Sequence, residues 1–434
     1  MLHSGASVLD YGAFVLILII VYLISAILRN KRAFTLPLKF VPFSQKHALA
    51  VDCHREESPC LTHHRGSTTP SSLRADTSTE IVLKAVAQRH LILRAGEGGV
   101  TCNHFDGDGL TSVFAAVYPE EALRIRSLLI ACAKMSDFRE HDDLSLPQAR
   151  AAIAWSVWIN SIETALFWRP FAKQEAGSES AECVAKFAYF IPRCKEALDE
   201  AAFVGELDLQ KAASPESYTV LRSDAPAEFD AELTKVYEEC AWLAAHPDSI
   251  HRCPSLGLAI VNAPWPMHYY ALFGRTAGLD TVMTIMPGGR YEVECKYTGY
   301  VQLASRDVLP RLSLVRLAAA LTDVERHCRG SSIQDEWVAD RFIDSGPLLR
   351  LQRASGARLS RAQRFGHPYE RDIATSCIPA ETFINVVVSY LEHGYKSVAA
   401  KPRPTWTWAD LHSFNKSIDW REWSTKILSE HVKS

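Results

Sequence analysis

The chain of 434 residues lacks most of the local signatures that assign a chemistry directly. Its formal net charge is only −3. That removes the electrostatic case for a general nucleic-acid binder and leaves room only for a local basic groove. Its eleven cysteines include no Cys-x-x-Cys pair and no regular spacing. A disulfide scaffold is therefore not expected; buried, reduced thiols in a cytosol-facing body are. There is no Gly-x-Ser-x-Gly elbow, no phosphate-binding Gly-x-x-x-x-Gly-Lys-Ser/Thr loop and no His-Glu-x-x-His. No internal repeat is detected at a fixed period. What remains is an ordinary globular balance, 47% hydrophobic and 22% charged, in a chain long enough for two or three domains.

One apolar run stands out. Tyr11 to Leu28 carries no charge, and as a helix it would span roughly 27 Å, enough for a bilayer core. Asp10 precedes it, and Arg29, Lys31, Arg32 and Lys39 follow. The basic flank predicts a single-pass membrane protein, of the endoplasmic reticulum in the simplest case, with its body in the cytosol. A cleaved signal peptide would want basic residues before the run and a small-x-small site after it, and neither is clear. Residues 29–78, with spaced prolines and the polar stretch Gly66 to Ser72, read as a flexible linker. Cys53, His54, Cys60, His63 and His64 lie within it, at a spacing that fits no standard zinc finger.

Residues 79–250 read as an α/β domain. Helical periodicity covers Ile81 to His90, Glu120 to Met135, Gln148 to Trp168, Ser180 to Glu200 and Glu228 to Ala245. Residues 251–350 read as a smaller α+β domain. Its signals are a strand from Leu256 to Val261, a hairpin around Pro287-Gly288-Gly289, a continuation of the second hairpin strand through Tyr300 to Ala304, and a helix from Leu312. Residues 351–434 form a C-terminal extension whose tryptophans are expected to pack back on the body.

The most telling stretch is residues 103–112, Asn-His-Phe-Asp-Gly-Asp-Gly-Leu-Thr-Ser. An apolar run from Val100 leads into it, and Leu110, Val113, Phe114 and Val117 follow at helical spacing. The motif therefore sits at a strand-to-helix turn. His104, Asp106 and Asp108 alternate along an extended segment and can share one face. An imidazole and two carboxylates at a helix N-terminus can hold a hard metal ion or handle phosphate. The same residues have plain structural uses: Asp108 as the cap of the following helix and Asp106 as a turn former.

The decapeptide resembles the first motif of the DHH-type phosphoesterases, a superfamily of exonucleases, oligoribonucleases and manganese pyrophosphatases. Its pattern is His-x-Asp-x-Asp-Gly after the first strand. The resemblance implies that His104, Asp106 and Asp108 bind divalent ions, Mn²⁺ or Mg²⁺, and that Asp106 and Asp108 are catalytic. The defining Asp-His-His triplet is not found downstream. Asp137 and the cluster containing His141 and Asp142 are the nearest substitutes for completing the metal shell. Val301 to Arg306 followed by a helix resembles the order of elements in that superfamily's C-terminal domain. Arg306 is then a candidate phosphate clamp, and His268, after Pro-Trp-Pro-Met, a further substrate-binding candidate.

The expected fold class is α/β: a DHH-phosphoesterase-like N-terminal α/β domain plus a smaller α+β domain, behind an N-terminal transmembrane helix. The expected function is a membrane-anchored, metal-dependent hydrolase of phosphoester or phosphoanhydride bonds, acting on a phosphorylated small molecule or nucleotide. A non-catalytic scaffold or binding protein of the same fold is the alternative. Phe105 to Gly109 also resembles the start of haloacid-dehalogenase-type phosphatases, with Asp106 as nucleophile. Leu110 stands where that family has Thr, and His104 has no role there.

Overall fold

The computed structural model describes residues 36–56, 58–141, 143–167, 179–330, 335–353, 363, 369, 371–396, 398 and 406–432. The apolar run at 11–28 and Asp142 lie outside them. Among the described residues, no helix is long and apolar enough to cross a membrane. The fold is mixed α/β.

Within the segment expected to be a linker, the described residues from 36 to 78 are instead part of the fold. Leu49–Val51 forms β1 and Cys60–Leu61 forms β2. Both pair in parallel into a three-stranded sheet of order β2-β1-β3, with β3 at Val100–Thr101. Leu49, Ala50, Val51 and Leu61 are fully buried. Parallel strands covered on both faces are uniformly apolar, and at two or three residues they carry no readable period. Gly99, with φ +120°, admits a close approach: a Cβ there would lie 2.6 Å from the Lys39 carbonyl oxygen. That lets residues 39–41 run beside β3.

Helices cover this sheet. Helix α1 (Ser78–Ala87) is capped by Thr77, whose side chain accepts from the Glu80 amide. Helix α2 (Gly107–Val117) follows the motif directly. Helix α3 (Arg126–Asp137) ends at a sequence-singled carboxylate. Helix α4 (Pro147–Ile162) is buried on nearly every face. It is surrounded by α3, α5 (Glu179–Glu206) and α6 (Pro226–Ala245). Its Trp155 is fully enclosed, and burial of so large a side chain contributes roughly 1.5–3 kcal/mol.

The second half builds a six-stranded sheet of order β4-β5-β6-β7-β9-β8. Its strands are β4 (Ile250–Cys253), β5 (Leu258–Asn262), β6 (Thr281–Met286), β7 (Arg290–Cys295), β8 (Glu336–Ala339) and β9 (Leu348–Gln352). Only β5 and β6 are parallel, joined through α7 (Tyr269–Arg275). The expected hairpin at 287–289 is present as β6–β7. The strand does not continue through Tyr300 to Ala304. A single turn at Tyr297–Gly299 intervenes, and only Val301 makes a bridge, to His64.

This sheet joins the two cores by simple alternation. Ala259, Val261, Val282 and Met286 face the first core. Leu258, Ile260, Met283 and Ile285 face the second, with α8 (Val315–Arg329), α9 (Ala380–Tyr395) and α11 (Arg421–His431, after α10, Trp408–Ser417). Successive strand residues point to opposite faces, so one sheet serves both cores. The C-terminal tryptophans do pack back: Trp423 is buried, and Trp420 stacks on Tyr390 at 4.2 Å. All eleven cysteines are free thiols.

Candidate metal centre

The carboxyl ends of β1, β2 and β3 point to one place. The chain leaves β1 for β2 on one side and reaches β3 on the other, and such a switch point opens a crevice where ligands bind. Asp52 follows β1, Thr62-His63-His64 follows β2, and Cys102 to Asp108 follows β3. Asp137, at the end of α3, completes the ring.

The buried group centres on His63. Its Nε2 lies 3.2 Å from Asp137 Oδ2, 3.6 Å from Asp52 Oδ1 and 3.7 Å from Asp108 Oδ2. His63 Nδ1 donates to the Asp76 carbonyl at 2.5 Å, which turns Nε2 toward the carboxylates. A ring nitrogen fixed by a backbone carbonyl is the usual support for a metal-binding histidine. Asp108 accepts at both oxygens from the N-terminus of α1, from the Ser78 amide at 2.7 Å and the Thr79 amide at 2.8 Å. The Ser78 hydroxyl donates to Asp52 Oδ1 at 2.6 Å. The second half of the chain holds this segment in turn. The Gln302 amide donates to the His63 carbonyl at 2.9 Å, and Asp76 accepts from the Ala304 and Ser305 amides, both at 2.8 Å.

A second group centres on His104. Its Nε2 lies 3.1 Å from Asp106 Oδ2 and 3.3 Å from Asp52 Oδ2, while Nδ1 donates to Asn103 Oδ1 at 2.7 Å. Asp52 thus presents one oxygen to each imidazole. Asp106, not Asp108, is the cap of α2: its Oδ1 accepts from the Gly109 amide at 2.8 Å. The expectation that Asp108 caps its own helix is corrected; Asp108 lies within the first turn and serves α1.

Electrostatics mark the strain of holding these charges together. Burial alone would lower His63, but the Asp137 carboxylate beside it and the charges of Asp108 and Asp52 raise it to about 10. Burial and the Asp52 charge push Asp108 up to about 7. Burial and the charges of Asp106 and Asp108 push Asp137 well above the carboxylate range. Burial would raise Asp106, but His104 beside it and the Gly109 amide bring it down to about 2. Clustered acids take up protons where no cation compensates them. His63 Nε2 and Asp52 Oδ2 are buried, make no well-formed hydrogen bond and meet only the charged groups around them. Donors held together in this way suit a shared cation. The buried Asp and His side chains could hold a metal ion.

Asp52, His104, Asp106 and Asp137 line a cavity of about 970 Å³, the size of a small-ligand site; His63 and Asp108 are buried and do not line it. The cavity runs between α4, α5 and α6 on one side and β7 with its following turn on the other. His64 faces it, with Nδ1 at 2.6 Å from Thr62 Oγ1 and Nε2 at 2.9 Å from the Tyr297 hydroxyl. Burial and the neighbouring His63 and His104 charges hold His64 well below the usual imidazole range.

Of the residues singled out from the sequence, His104, Asp106, Asp108 and Asp137 come together. His141 does not: its Nε2 lies 3.1 Å from the Tyr270 carbonyl, packed against Gly274. Arg306 is held by Asp280, at 2.6 and 3.1 Å, and is not among the residues that line the cavity. His268 is buried as the cap of α7, accepting from the Tyr270 amide at 3.0 Å with Nε2 at 3.0 Å from Glu232. The five Cys and His residues of 53–64 form no zinc clip, since each candidate metal group among the described residues contains Asp52. Sequence reasoning missed Asp52, His63 and His64. The available signal was Thr62-His63-His64, which differs from Asp-His-His only in its first residue and lies before the decapeptide rather than after it.

A family model matches residues 36–402: the family of unknown function DUF6687. That span is most of the chain, so the chain belongs to this family. No curated protein and no solved structure matches it.

Proposed function

From membership of a family without an assigned activity, we propose that this protein is a divalent-metal-dependent hydrolase of phosphoester or phosphoanhydride bonds, akin to the DHH-type phosphoesterases. The observation that carries this reading is the buried convergence of Asp52, His63, Asp108 and Asp137, with three carboxylates within 3.7 Å of His63 Nε2. His63, Asp52, Asp108 and Asp137 would hold one ion, and His104, Asp52 and Asp106 a second. The donors are carboxylate oxygens and imidazole nitrogens, which suit Mn²⁺ or Mg²⁺. Cys102 lies near His104, but burial keeps its thiol protonated, so a thiolate zinc site is disfavoured. Bound ions would lower the pKa of a water and neutralise phosphoryl charge.

The chain's own residues do the rest. The α1 amides fix Asp108, and the Asp76 carbonyl fixes the His63 tautomer. His64, held neutral by burial and by the neighbouring His63 and His104 charges, is hydrogen-bonded to the Tyr297 hydroxyl and fixes it at the cavity wall. The haloacid-dehalogenase reading gives no role to Asp52, His63 or Asp137. Thr62, standing where the superfamily has a carboxylate, favours the alternative of a metal-binding protein without catalysis.

Calorimetric titration with Mn²⁺, Mg²⁺ and Zn²⁺, together with hydrolysis of bis(p-nitrophenyl) phosphate, separates these readings. Mn²⁺ binding that is lost in His63→Gln, with metal-dependent turnover, supports the hydrolase. Binding without turnover of any phosphoester leaves the binding protein. No metal binding overturns both. The run at 11–28 would tether this body to a membrane with the cavity on the cytosolic side; protection of the body from protease in sealed microsomes would overturn that orientation.

A further inference from the structure

The cavity's cations are nearly all engaged. Lys186 pairs with Glu163 and Glu182, both at 2.7 Å, Lys235 with Glu239 at 3.2 Å and Lys296 with Glu140 at 2.8 Å. Arg139 also lines the cavity, and among the described residues it makes neither an ion pair nor a hydrogen bond. Its guanidinium lies over the Tyr269 ring, 4.2 Å from the centroid. Tyr269 is fixed from behind, its hydroxyl accepting from Arg371 at 3.2 Å. Stacking therefore orients the guanidinium plane while leaving its N–H edge unused.

Arg139 follows Phe138, the C-cap of α3, and has φ +52°. This is the left-handed position that ends a helix, where glycine is favoured because an L side chain is strained there. Arg89 ends α1 in the same way, with φ +46°, so this conformation marks the helix end and makes glycine an unstrained replacement. Asp137 lies two residues earlier, so the two Cα atoms are at most about 7 Å apart. Glu294 also lines the cavity; burial pushes its carboxyl up to about 7, against the lowering charges of Arg371 first and Arg139 second.

We propose that Arg139 is the substrate-recognition residue of this site, and that the substrate carries, besides the phosphoryl group at the metals, a second anionic group, phosphate or carboxylate, received by the guanidinium. A planar fork of N–H donors matches either anion bidentately. This inference rests on the metal-dependent reading above and deepens it.

The test measures binding of three non-hydrolysable probes to the Mn²⁺-loaded full chain: methylphosphonate with one anion, methylenediphosphonate with a second phosphonate, and phosphonobutyrate with a carboxylate. At least one two-anion probe should bind wild type at least about tenfold tighter than methylphosphonate, the worth of one charge-assisted contact. Which probe gains identifies the second anion. Arg139→Gly should abolish that advantage, keep Mn²⁺ and methylphosphonate affinity within about twofold, and leave Tm unchanged or higher, because glycine relieves the left-handed strain. Arg139→Lys should restore only part of the advantage. Equal affinity for the two-anion probes in wild type and Arg139→Gly overturns the inference and leaves the metal reading intact. A uniform loss for all three probes shows a structural role and also overturns it. Failure of wild type to bind Mn²⁺ overturns the metal reading itself and the inference with it.

Discussion

The His63 imidazole meets the Asp137 carboxylate at 3.2 Å, with both side chains almost fully buried. One comes from the end of a two-residue strand and the other from the last turn of a helix. Neither position has a local reason to carry a charge. Their meeting, with Asp52 and Asp108 on the same imidazole nitrogen, is what turns a suggestive motif into a closed donor set.

Asp106 and Asp108 should respond differently to amidation. Asp106→Asn keeps an efficient helix cap, so without metal it should cost less than about 1 kcal/mol. Asp108→Asn turns an NH₂ group toward the α1 amides that Asp108 now accepts from. That should cost about 1.5–3 kcal/mol, the range for a lost hydrogen bond to a charged group. Urea unfolding in chelator reads both, and equal destabilisation would contradict the capping assignment.

Metal and protons should compete for the centre. In chelator, Asp108 is raised to about 7 from an unfolded value of ~3.9. Its stabilising contribution is complete below the unfolded value and is lost as pH climbs through the folded one. His63, raised to about 10 from ~6.5, contributes below its unfolded value and loses that contribution by about pH 10. The metal-free Tm should therefore fall between pH 5 and 9 from these two groups. Mn²⁺ replaces those protons, so the Tm increase it gives should be larger at pH 8 than at pH 6. A metal shift that shrinks as pH rises would refute this linkage.

Gly107→Ala should disturb the centre through packing alone. A Cβ there would lie 2.6 Å from Ser136 Cβ and 3.1 Å from Trp155. The Gly107 amide donates to the Ser136 hydroxyl at 2.8 Å, and Asp137 is the next residue. Overpacking of this kind costs about 1–3 kcal/mol, and the shift of α3 should weaken Mn²⁺ binding. Unchanged stability and unchanged affinity would mean that α3 is not tightly coupled to the motif.

Arg306 should be dispensable for chemistry. Its guanidinium is taken by Asp280, and a partly exposed pair of this kind contributes about 0–1 kcal/mol. Arg306→Ala should lower Tm slightly and leave metal-dependent turnover within about twofold of wild type. A loss of tenfold or more in kcat/KM would return Arg306 to the site.

The sequence by itself determined the long periodic helices, the hairpin at Pro287-Gly288-Gly289, and the strand-to-helix turn with His104, Asp106 and Asp108. Each is a local pattern: helical spacing, turn chemistry, or alternation along an extended segment. Tertiary structure alone decided which other residues complete the centre. Strands β1 and β2 are too short for any period, and their surroundings of prolines and polar residues read as linker. Asp52, His63 and His64 take on meaning only where parallel pairing sets three strand ends side by side. The same assembly placed His141, Arg306 and His268 outside the centre, bonded to Tyr270, Asp280 and Glu232. Local spacing fixes which side chains share a face; only packing fixes which faces meet, because the burial that drives it is blind to sequence separation.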